Sequence, residues 1–154
     1  MEDNTSLDAT STLVVGDIMT ADPIIAEPDT TVEQVMALMQ EASIRHVPIV
    51  DSGGILGVVS NRDLTFIHGL PGVFDKGGDR RIEEVLDAPV SVILKSRFLI
   101  DRDVVTIDRD APLEQAVNIL VGSKLGALPV VDDEELVGIL STVDVLRWTA
   151  DNAL

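Results

Sequence analysis

Gly-Val-Val-Ser-Asn-Arg-Asp at residues 57–63 is the stretch on which the fold depends, because the chain contains it twice. Residues 138–144 read Gly-Ile-Leu-Ser-Thr-Val-Asp, with glycine, serine and aspartate at the same spacing. Aliphatic residues after a glycine predict a short buried strand, and serine with aspartate three positions later predicts the start of a helix. Each copy therefore predicts a strand that runs directly into a helix.

The serine and aspartate of each copy allow two interpretations. A helix N-terminus carries unpaired N–H groups and partial positive charge that favour an anion, and the carboxylate can accept hydrogen bonds from ligand hydroxyls, so a ribose phosphate would fit. Alternatively, Ser60 with Asp63, and Ser141 with Asp144, are capping boxes that only stabilise their own helices. The residues alone leave both interpretations open.

Composition excludes several classes of function. The net charge of −16 and the pI near 4.2 argue against binding to nucleic acid or to an anionic membrane, both of which favour a basic surface. The chain has no cysteine, which excludes disulfides, thiolate metal sites and a thiol nucleophile. Its N-terminus lacks a signal-peptide pattern, and no apolar run approaches the roughly 18 residues of a membrane span. We therefore expect a cytoplasmic protein.

Short-range patterns predict the elements of the first half. Residues 1–12 are predicted to be a flexible acidic tail. Thr30 with Glu33 predicts a capping box for a helix that ends near Ala42. The other predicted elements of this half are a strand at 23–26, a strand at 47–50, a turn at 51–54, a return strand at 55–59 and a helix at 61–68.

The second half repeats the first. A shift of 81 positions, which carries Pro48 onto Pro129, aligns residues 29–63 with residues 110–144 without a gap. Each half alone would be marginally stable, so two halves that bury a shared apolar face are the expected solution. We assign the repeats to residues 13–68 and 82–150, and the Gly- and Pro-containing linker to residues 69–81.

The chain resembles the paired cystathionine-β-synthase (CBS) domains, a module often called a Bateman domain. The motifs that carry the resemblance are Asp17–Thr20 with Pro23, Arg45–Asp51, Gly57–Leu64, Ala127–Asp132 and Gly138–Asp144. The resemblance implies an α+β fold of two tandem β-α-β-β-α repeats, packed sheet to sheet with pseudo-twofold symmetry. It also implies a homodimer, and clefts between the repeats that bind AMP, ADP, ATP or S-adenosylmethionine, alone or with Mg²⁺.

The resemblance also assigns roles to residues. The aspartates Asp63 and Asp144 correspond to those that bind ribose hydroxyls in the family, with Ser60 and Ser141 near ribose or phosphate. Residues that enter the first strand line the base, and further positions fall near the phosphates. The expected base-lining residues are Thr20, Pro23 and Ile24, followed by Val104 and Val105. The expected phosphate-side residues are Arg45, His46, Arg62 and Lys124, and Val47 is a further expected nucleotide-binding residue.

The second repeat departs from the first at these positions. Gly126-Ala127 stands where Arg45-His46 would be, and Val143 stands in place of Arg62. In the gap-free alignment, Ser96–Asp101 replaces the motif that ends at Thr20. We therefore expect two unequal sites, with the cations for a phosphate mainly in the first repeat.

Two functions from different classes remain. The first is a non-catalytic sensor of an adenosyl ligand that signals to a partner protein, since no activated nucleophile or acid/base pair stands out. The second is a ligand-free dimerisation or scaffold module, which the strong negative charge favours. No residues have the spacing of a zinc site, and Asp132–Glu135 is better explained as a solvated hairpin tip than as a site for a divalent ion.

Overall fold

The computed structural model describes residues 13–67, 78–97, 104–123 and 125–153. The chain divides into two compact units. The terminal unit joins the N-terminal segment, up to Pro23, to the C-terminal part from Val105, and the central unit runs from Ile24 to Val104. Each unit therefore contains residues from both predicted repeats.

The helices and strands include the order expected of each repeat, together with two helices that were not predicted, at Gly78–Asp87 and Ser91–Arg97, of which the first begins within the predicted linker. A short 3-10 helix at Val15–Asp17 precedes them. In chain order they are β1 (Thr20–Ala21), α1 (Val32–Ala42), β2 (His46–Asp51), β3 (Gly54–Ser60), α2 (Asn61–Ile67), α3 (Gly78–Asp87), α4 (Ser91–Arg97), β4 (Ile107–Asp108), α5 (Leu113–Ser123), β5 (Ala127–Asp132), β6 (Glu135–Ser141) and α6 (Thr142–Asn152). None of these helices, within the described ranges, is long and apolar enough to cross a membrane.

The central unit is built on the antiparallel hairpin of β2 and β3. Ala26 adds a single parallel bridge to Ile49, beside the hairpin. The apolar face of α1 packs on this hairpin, and α3 and α4 contribute to the same core. The buried members of the core include Val32, Val35, Met39, Val47, Ile49, Val59, Leu64, Val90, Ile93 and Leu94. The predicted second repeat therefore supplies Val90, Ile93 and Leu94 to the core of the central unit.

The terminal unit contains a four-stranded sheet in the order β1-β6-β5-β4. β5 and β6 form the antiparallel hairpin that matches β2 and β3, and β4 pairs parallel to β5. The predicted hairpin tip is confirmed, since Asp132 pairs with Glu135 and the two residues between them have positive φ angles. The core includes Val15, Ile107, Leu113, Ala116, Leu120, Leu128, Val130 and Leu140.

The start of α1 corrects one prediction. The N-cap is Thr31 rather than Thr30, and its hydroxyl accepts a hydrogen bond from the Gln34 N–H at 3.2 Å. Gln34 returns the bond, since its Oε1 accepts from the Thr31 N–H at 3.0 Å. The hydroxyl of Thr30 instead accepts from the Glu27 N–H, which places Thr30 in the preceding turn. The sequence offered two adjacent threonines, each with a suitable partner three positions later, and could not choose between them.

The first predicted strand is also displaced. Strand pairing occurs at Thr20–Ala21, and Ala26 forms only an isolated bridge, so a continuous strand at 23–26 was wrong. Asp22 adopts a left-handed conformation with φ 51°. Pro23 has no N–H to donate to a ladder. The chain therefore leaves the sheet of the terminal unit at this point and continues into the central unit.

The lead-in to each repeat, defined as the segment that precedes its first strand, is held by matching hydrogen bonds. The Val15 N–H donates to the Ala111 carbonyl at 2.9 Å, and the Val90 N–H donates to the Thr30 carbonyl at 2.7 Å. Ala111 and Thr30 are equivalent under the shift of 81, so Val15 and Val90 are equivalent residues. The gap-free alignment of the 15–20 segment with residues 96–101 is therefore wrong.

A difference in length explains this correction. A Cβ placed on Gly138 would lie 3.1 Å from the Met19 Cγ, and one placed on Gly57 would lie 2.9 Å from the Leu94 Cδ2, which makes Met19 and Leu94 equivalent. The shift is 75 positions at Met19 but 81 at Ala26, whose counterpart is Ile107. The second repeat therefore carries six additional residues between Leu94 and Ile107, a change that an alignment without gaps cannot reveal.

Candidate functional site

The Ser/Asp pair of the terminal unit forms a capping box at the start of α6. The Ser141 hydroxyl accepts a hydrogen bond from the Asp144 N–H at 3.1 Å. In return, Oδ2 of Asp144 accepts from the Ser141 N–H at 2.8 Å. Each side chain thus satisfies one of the N–H groups that a helix start leaves unpaired. The capping interpretation is confirmed here, and the carboxylate retains a second oxygen.

Thr20 reaches that second oxygen from the other end of the chain. Its hydroxyl donates to Oδ1 of Asp144 at 3.4 Å, across a sequence separation of 124 residues. β1 places it there, because Thr20 and Ile139 are paired in the antiparallel ladder with β6. The terminal unit therefore joins a predicted base-lining residue to a predicted ribose-binding residue.

Gly138 permits this approach. A Cβ at this position would lie 3.0 Å from the Thr20 carbonyl oxygen and would also meet the Met19 side chain. The glycine is buried, so a larger side chain has no open space to occupy. The sequence marked this glycine through its repetition, but gave no indication that Met19 and Thr20 are the residues that cover it.

The Ser/Asp pair of the central unit has the same local geometry at the start of α2. Oδ2 of Asp63 accepts from the Ser60 N–H at 2.7 Å, and the Ser60 hydroxyl accepts from the Asp63 N–H at 3.1 Å. The two aspartates are half-buried, as are the two serines. The capping box is therefore a shared property of both copies, and it occupies the Oδ2 atom of each carboxylate.

The predicted cationic residues of the first repeat lie close to Ser60 and Asp63 in the backbone structure. His46 lies opposite Ser60 in the ladder of β2 and β3. The carbonyl of Arg45 accepts from the Asn61 N–H at 2.7 Å, so Arg45 adjoins the junction of β3 and α2. Arg62 is an exposed residue on α2, one position before Asp63. The structure thus brings three predicted phosphate-side residues to the same end of the hairpin.

The remaining predicted site residues fall in different places. Pro23 ends the terminal-unit segment that contains Thr20, whereas Ile24 begins the central unit and is 40% exposed. Val47 is fully buried in the core of the central unit, so only its backbone remains for a ligand. Val104, the last residue of the central unit, is half-buried, and Val105, where the chain re-enters the terminal unit, is exposed. Lys124 lies outside the described residues.

The acidic side chains of the described residues are spread over the surface or paired. Within residues 13–67, 78–97, 104–123 and 125–153, no group of three or more His, Asp or Glu side chains is arranged to hold an ion. Asp132 instead forms an exposed ion pair with Arg109 at 3.6 Å. The acidic hairpin tip is therefore solvated and partly paired.

Comparison with known proteins identifies the family. A model of the CBS domain matches residues 15–67 and 96–151, which together are more than half of the chain. The chain belongs to the CBS domain family. Its two matches confirm the predicted tandem CBS repeats and the α+β class.

A relative of known structure supports this assignment. The chain is 29% identical over 138 residues to protein MJ1225 of Methanocaldococcus jannaschii, which covers 89% of the chain and 47% of that protein. The crystal structure of MJ1225 matches with a TM-score of 0.72 at 27% identity, over 90% of this chain and 48% of that one. The CBS chain thus spans about half the length of this relative.

Two further structures hold ligands. CBSX2, solved in complex with AMP, matches with a TM-score of 0.67 at 26% identity, over 90% of this chain and 96% of that one. The CBS domain pair of protein MJ0100, solved with 5′-methylthioadenosine and S-adenosyl-L-methionine, matches with a TM-score of 0.71 at 22% identity, over 91% and 98% of the two chains. At that identity, the MJ0100 match supports the fold alone.

Proposed function

We propose that this chain is a non-catalytic regulatory module that binds an adenosine-containing ligand through its two Ser/Asp pairs. The observation that carries the proposal is the carboxylate of Asp144, which caps α6 with one oxygen and accepts a hydroxyl from Thr20 with the other. A ribose hydroxyl is the same kind of donor as the threonine hydroxyl. The carboxylate can accept it as well, because an ionised carboxylate has about four lone-pair sites.

The capping role and the ligand role are therefore compatible. The capping box fixes the side chain of Asp144 relative to the helix, so the carboxylate is held in one orientation before any ligand arrives. Pre-ordered groups lose less conformational entropy on binding, which favours affinity. The same argument applies to Asp63, whose Oδ2 is held by the Ser60 N–H.

The proposed ligand class is supported by the family resemblance and by CBSX2, whose structure contains AMP. CBSX2 was solved with AMP, and the MJ0100 pair with 5′-methylthioadenosine and S-adenosyl-L-methionine. All three ligands contain adenosine with a free ribose diol. We therefore propose AMP, ADP, ATP or S-adenosylmethionine, with Mg²⁺ accompanying a polyphosphate. Thr20 and Pro23 are proposed to contact the base of a ligand at Asp144, and Arg45, His46 and Arg62 the phosphates of a ligand at Asp63. Ile24, which begins the central unit, stays a predicted base contact.

Regulation requires two states of the module. A ligand shifts an equilibrium only by its difference in affinity for the two states, so the proposed ligand must favour one arrangement of the chain over another. We propose that a partner protein binds one of these arrangements, and that the chain forms a homodimer.

A scaffold function is the second candidate, and α6 is the observation that favours it. This helix of eleven residues has no buried residue, and Val143 and Leu146 are 43% and 62% exposed. Apolar side chains on one exposed helix face are typical of protein interfaces. A scaffold would use this face and leave both carboxylates as caps.

Calorimetric titration with AMP, ATP plus Mg²⁺ and S-adenosylmethionine separates the two candidates, with GTP as the control ligand. We expect the double variant Asp63→Asn/Asp144→Asn to lose at least tenfold in affinity, because asparagine can still cap but offers one oxygen and no charge. The matched control is Asp51→Asn/Asp132→Asn, which makes the same change of charge at the two hairpin tips. Equal affinity of the double variant and the control would contradict the proposal, and so would the absence of binding to the unaltered protein.

A further inference from the structure

The two candidate sites have the same backbone arrangement where the hairpin meets the helix. The Asn61 N–H donates to the Arg45 carbonyl at 2.7 Å, and the Thr142 N–H donates to the Gly126 carbonyl at 3.0 Å. The ladders also agree, since His46 pairs with Ser60 in the same way as Ala127 pairs with Ser141. At these matched positions, a difference in the charge presented to a ligand must therefore arise from side chains.

Within the described residues, three matched positions near the Ser/Asp pairs carry a cationic or titratable side chain in the first repeat alone, and Lys124, which is matched by Ser43, lies outside the described residues. The central unit has Arg45, His46 and Arg62, and the terminal unit has Gly126, Ala127 and Val143. Arg45, Arg62, Gly126 and Val143 are all exposed, so neither the packing nor the fold requires these differences. The substitutions remove two full positive charges and one titratable ring from a constant backbone.

The net charges of the two units also favour an anionic ligand in the central unit over the terminal unit. Eight of the eleven Lys and Arg residues lie between positions 24 and 104, against thirteen of the 27 Asp and Glu residues, which gives the central unit a net charge of −5. The terminal unit has three Lys and Arg against fourteen Asp and Glu, a net charge of −11. One of those three, Arg109, is already paired with Asp132. Both summed fields are negative, and that of the terminal unit opposes an anionic ligand more strongly.

We propose that the two sites select adenosyl ligands of opposite charge class. The central unit takes an anionic ligand, adenosine with one or more phosphates, beside Arg45, His46 and Arg62. The terminal unit takes an adenosyl ligand without phosphate, either neutral or carrying a positive group such as a sulfonium. This inference rests on the proposed function, because it assigns a ligand class to each of the proposed sites, and it makes one chain responsive to two metabolites.

Single-site proteins allow each half of the inference to be measured. The variant Asp144→Asn keeps the central site intact and is called the central-site protein. The variant Asp63→Asn keeps the terminal site intact and is called the terminal-site protein. Titration with AMP, adenosine and S-adenosylmethionine compares ligands that share the base and ribose but differ in charge. We expect the central-site protein to bind AMP at least tenfold more tightly than adenosine, and the terminal-site protein to prefer adenosine or S-adenosylmethionine over AMP by at least tenfold.

Exchange of the charged positions then tests the cause. In the central-site protein, Arg45→Ala with Arg62→Val is expected to reduce the preference for AMP to about threefold or less while the affinity for adenosine stays constant. In the terminal-site protein, Gly126→Arg with Val143→Arg is expected to raise the affinity for AMP. A rise in salt from 50 to 500 mM should lower the affinity of the central site for AMP and leave its affinity for adenosine unchanged, because screening acts on the charged ligand.

The outcomes separate the two proposals. The inference is overturned if both sites show the same preference between adenosine and AMP. It is also overturned if the preference for AMP remains after Arg45→Ala with Arg62→Val. Either result leaves the proposed function intact. Failure of AMP, ADP, ATP with Mg²⁺ and S-adenosylmethionine to bind the unaltered protein overturns the proposed function itself. The thermal midpoint of every variant is measured without ligand, as the control for folding. A further double variant, Arg45→Lys/Arg62→Lys, keeps the charge and should keep the preference for AMP.

Discussion

The two copies of the Gly-x-x-Ser-x-x-Asp motif have the same local structure and different surroundings. Both form a capping box, with hydrogen bonds of 2.7–3.1 Å in the central unit and 2.8–3.1 Å in the terminal unit. Gly138 is covered by the Met19 side chain and the Thr20 backbone, whereas Gly57 is covered by the Leu94 side chain. The comparison teaches that seven residues can determine a strand and the start of a helix, while the covering segment decides what the site contains.

The largest expected effect concerns the two glycines. Gly138→Ala is expected to lower the free energy of unfolding by about 2–3 kcal/mol, because the new methyl group meets the Thr20 carbonyl, a backbone atom that cannot easily move. Gly57→Ala is expected to cost about 1 kcal/mol, because it meets the end of the Leu94 side chain, which can change its rotamer. Urea denaturation measures both values.

Amide hydrogen exchange sharpens this test, because it reports each unit separately. Gly138→Ala should accelerate exchange in β1 and β6 and leave β2 and β3 protected. Equal costs for the two alanine variants would show that the covering segments are interchangeable and would remove the difference between the units.

The capping boxes supply an intermediate effect that should be equal in the two units. Ser60→Ala and Ser141→Ala each remove the oxygen that accepts from an N–H of the helix start, and each is expected to cost about 1 kcal/mol of stability. The measurement is again urea denaturation, with Ser→Asn at the same positions as the control that retains an acceptor. A cost in one unit without a cost in the other would break the local equivalence of the two copies.

The smallest expected effect belongs to Thr20. Thr20→Val keeps the shape of the side chain but removes the hydroxyl, and we expect a loss of about 0.5 kcal/mol, since the bond to Asp144 is long at 3.4 Å and exposed. Thr20→Ser keeps the hydroxyl and should retain the bond. Proton NMR of the backbone around Asp144 should change with valine and remain similar with serine. A valine variant that leaves these signals unaltered would argue against the contact.

Local sequence patterns predicted much of this structure. The strand-to-helix junctions, the hairpins and both capping boxes depend on residues within a few positions of each other, so periodicity and turn chemistry were sufficient. Local patterns also explain why the cap of α1 was misplaced at Thr30. Thr30 and Thr31 each have a suitable partner three residues later, and only the packing of the folded chain determines which of them is the N-cap. The family resemblance added the adenosyl ligand class, and the assignment of site residues stays a prediction.

The sequence by itself determined that the chain is a duplicated α+β protein, that each copy ends a strand in a capped helix, and that the cations lie mainly in the first copy. Only the tertiary structure decided which segment covers which motif: that Thr20 reaches Asp144, that Leu94 rather than Ile100 corresponds to Met19, and that the second repeat has six additional residues. The physical reason is distance along the chain. Contacts between residues 124 positions apart depend on which apolar surfaces can be buried together, and no local pattern records that choice.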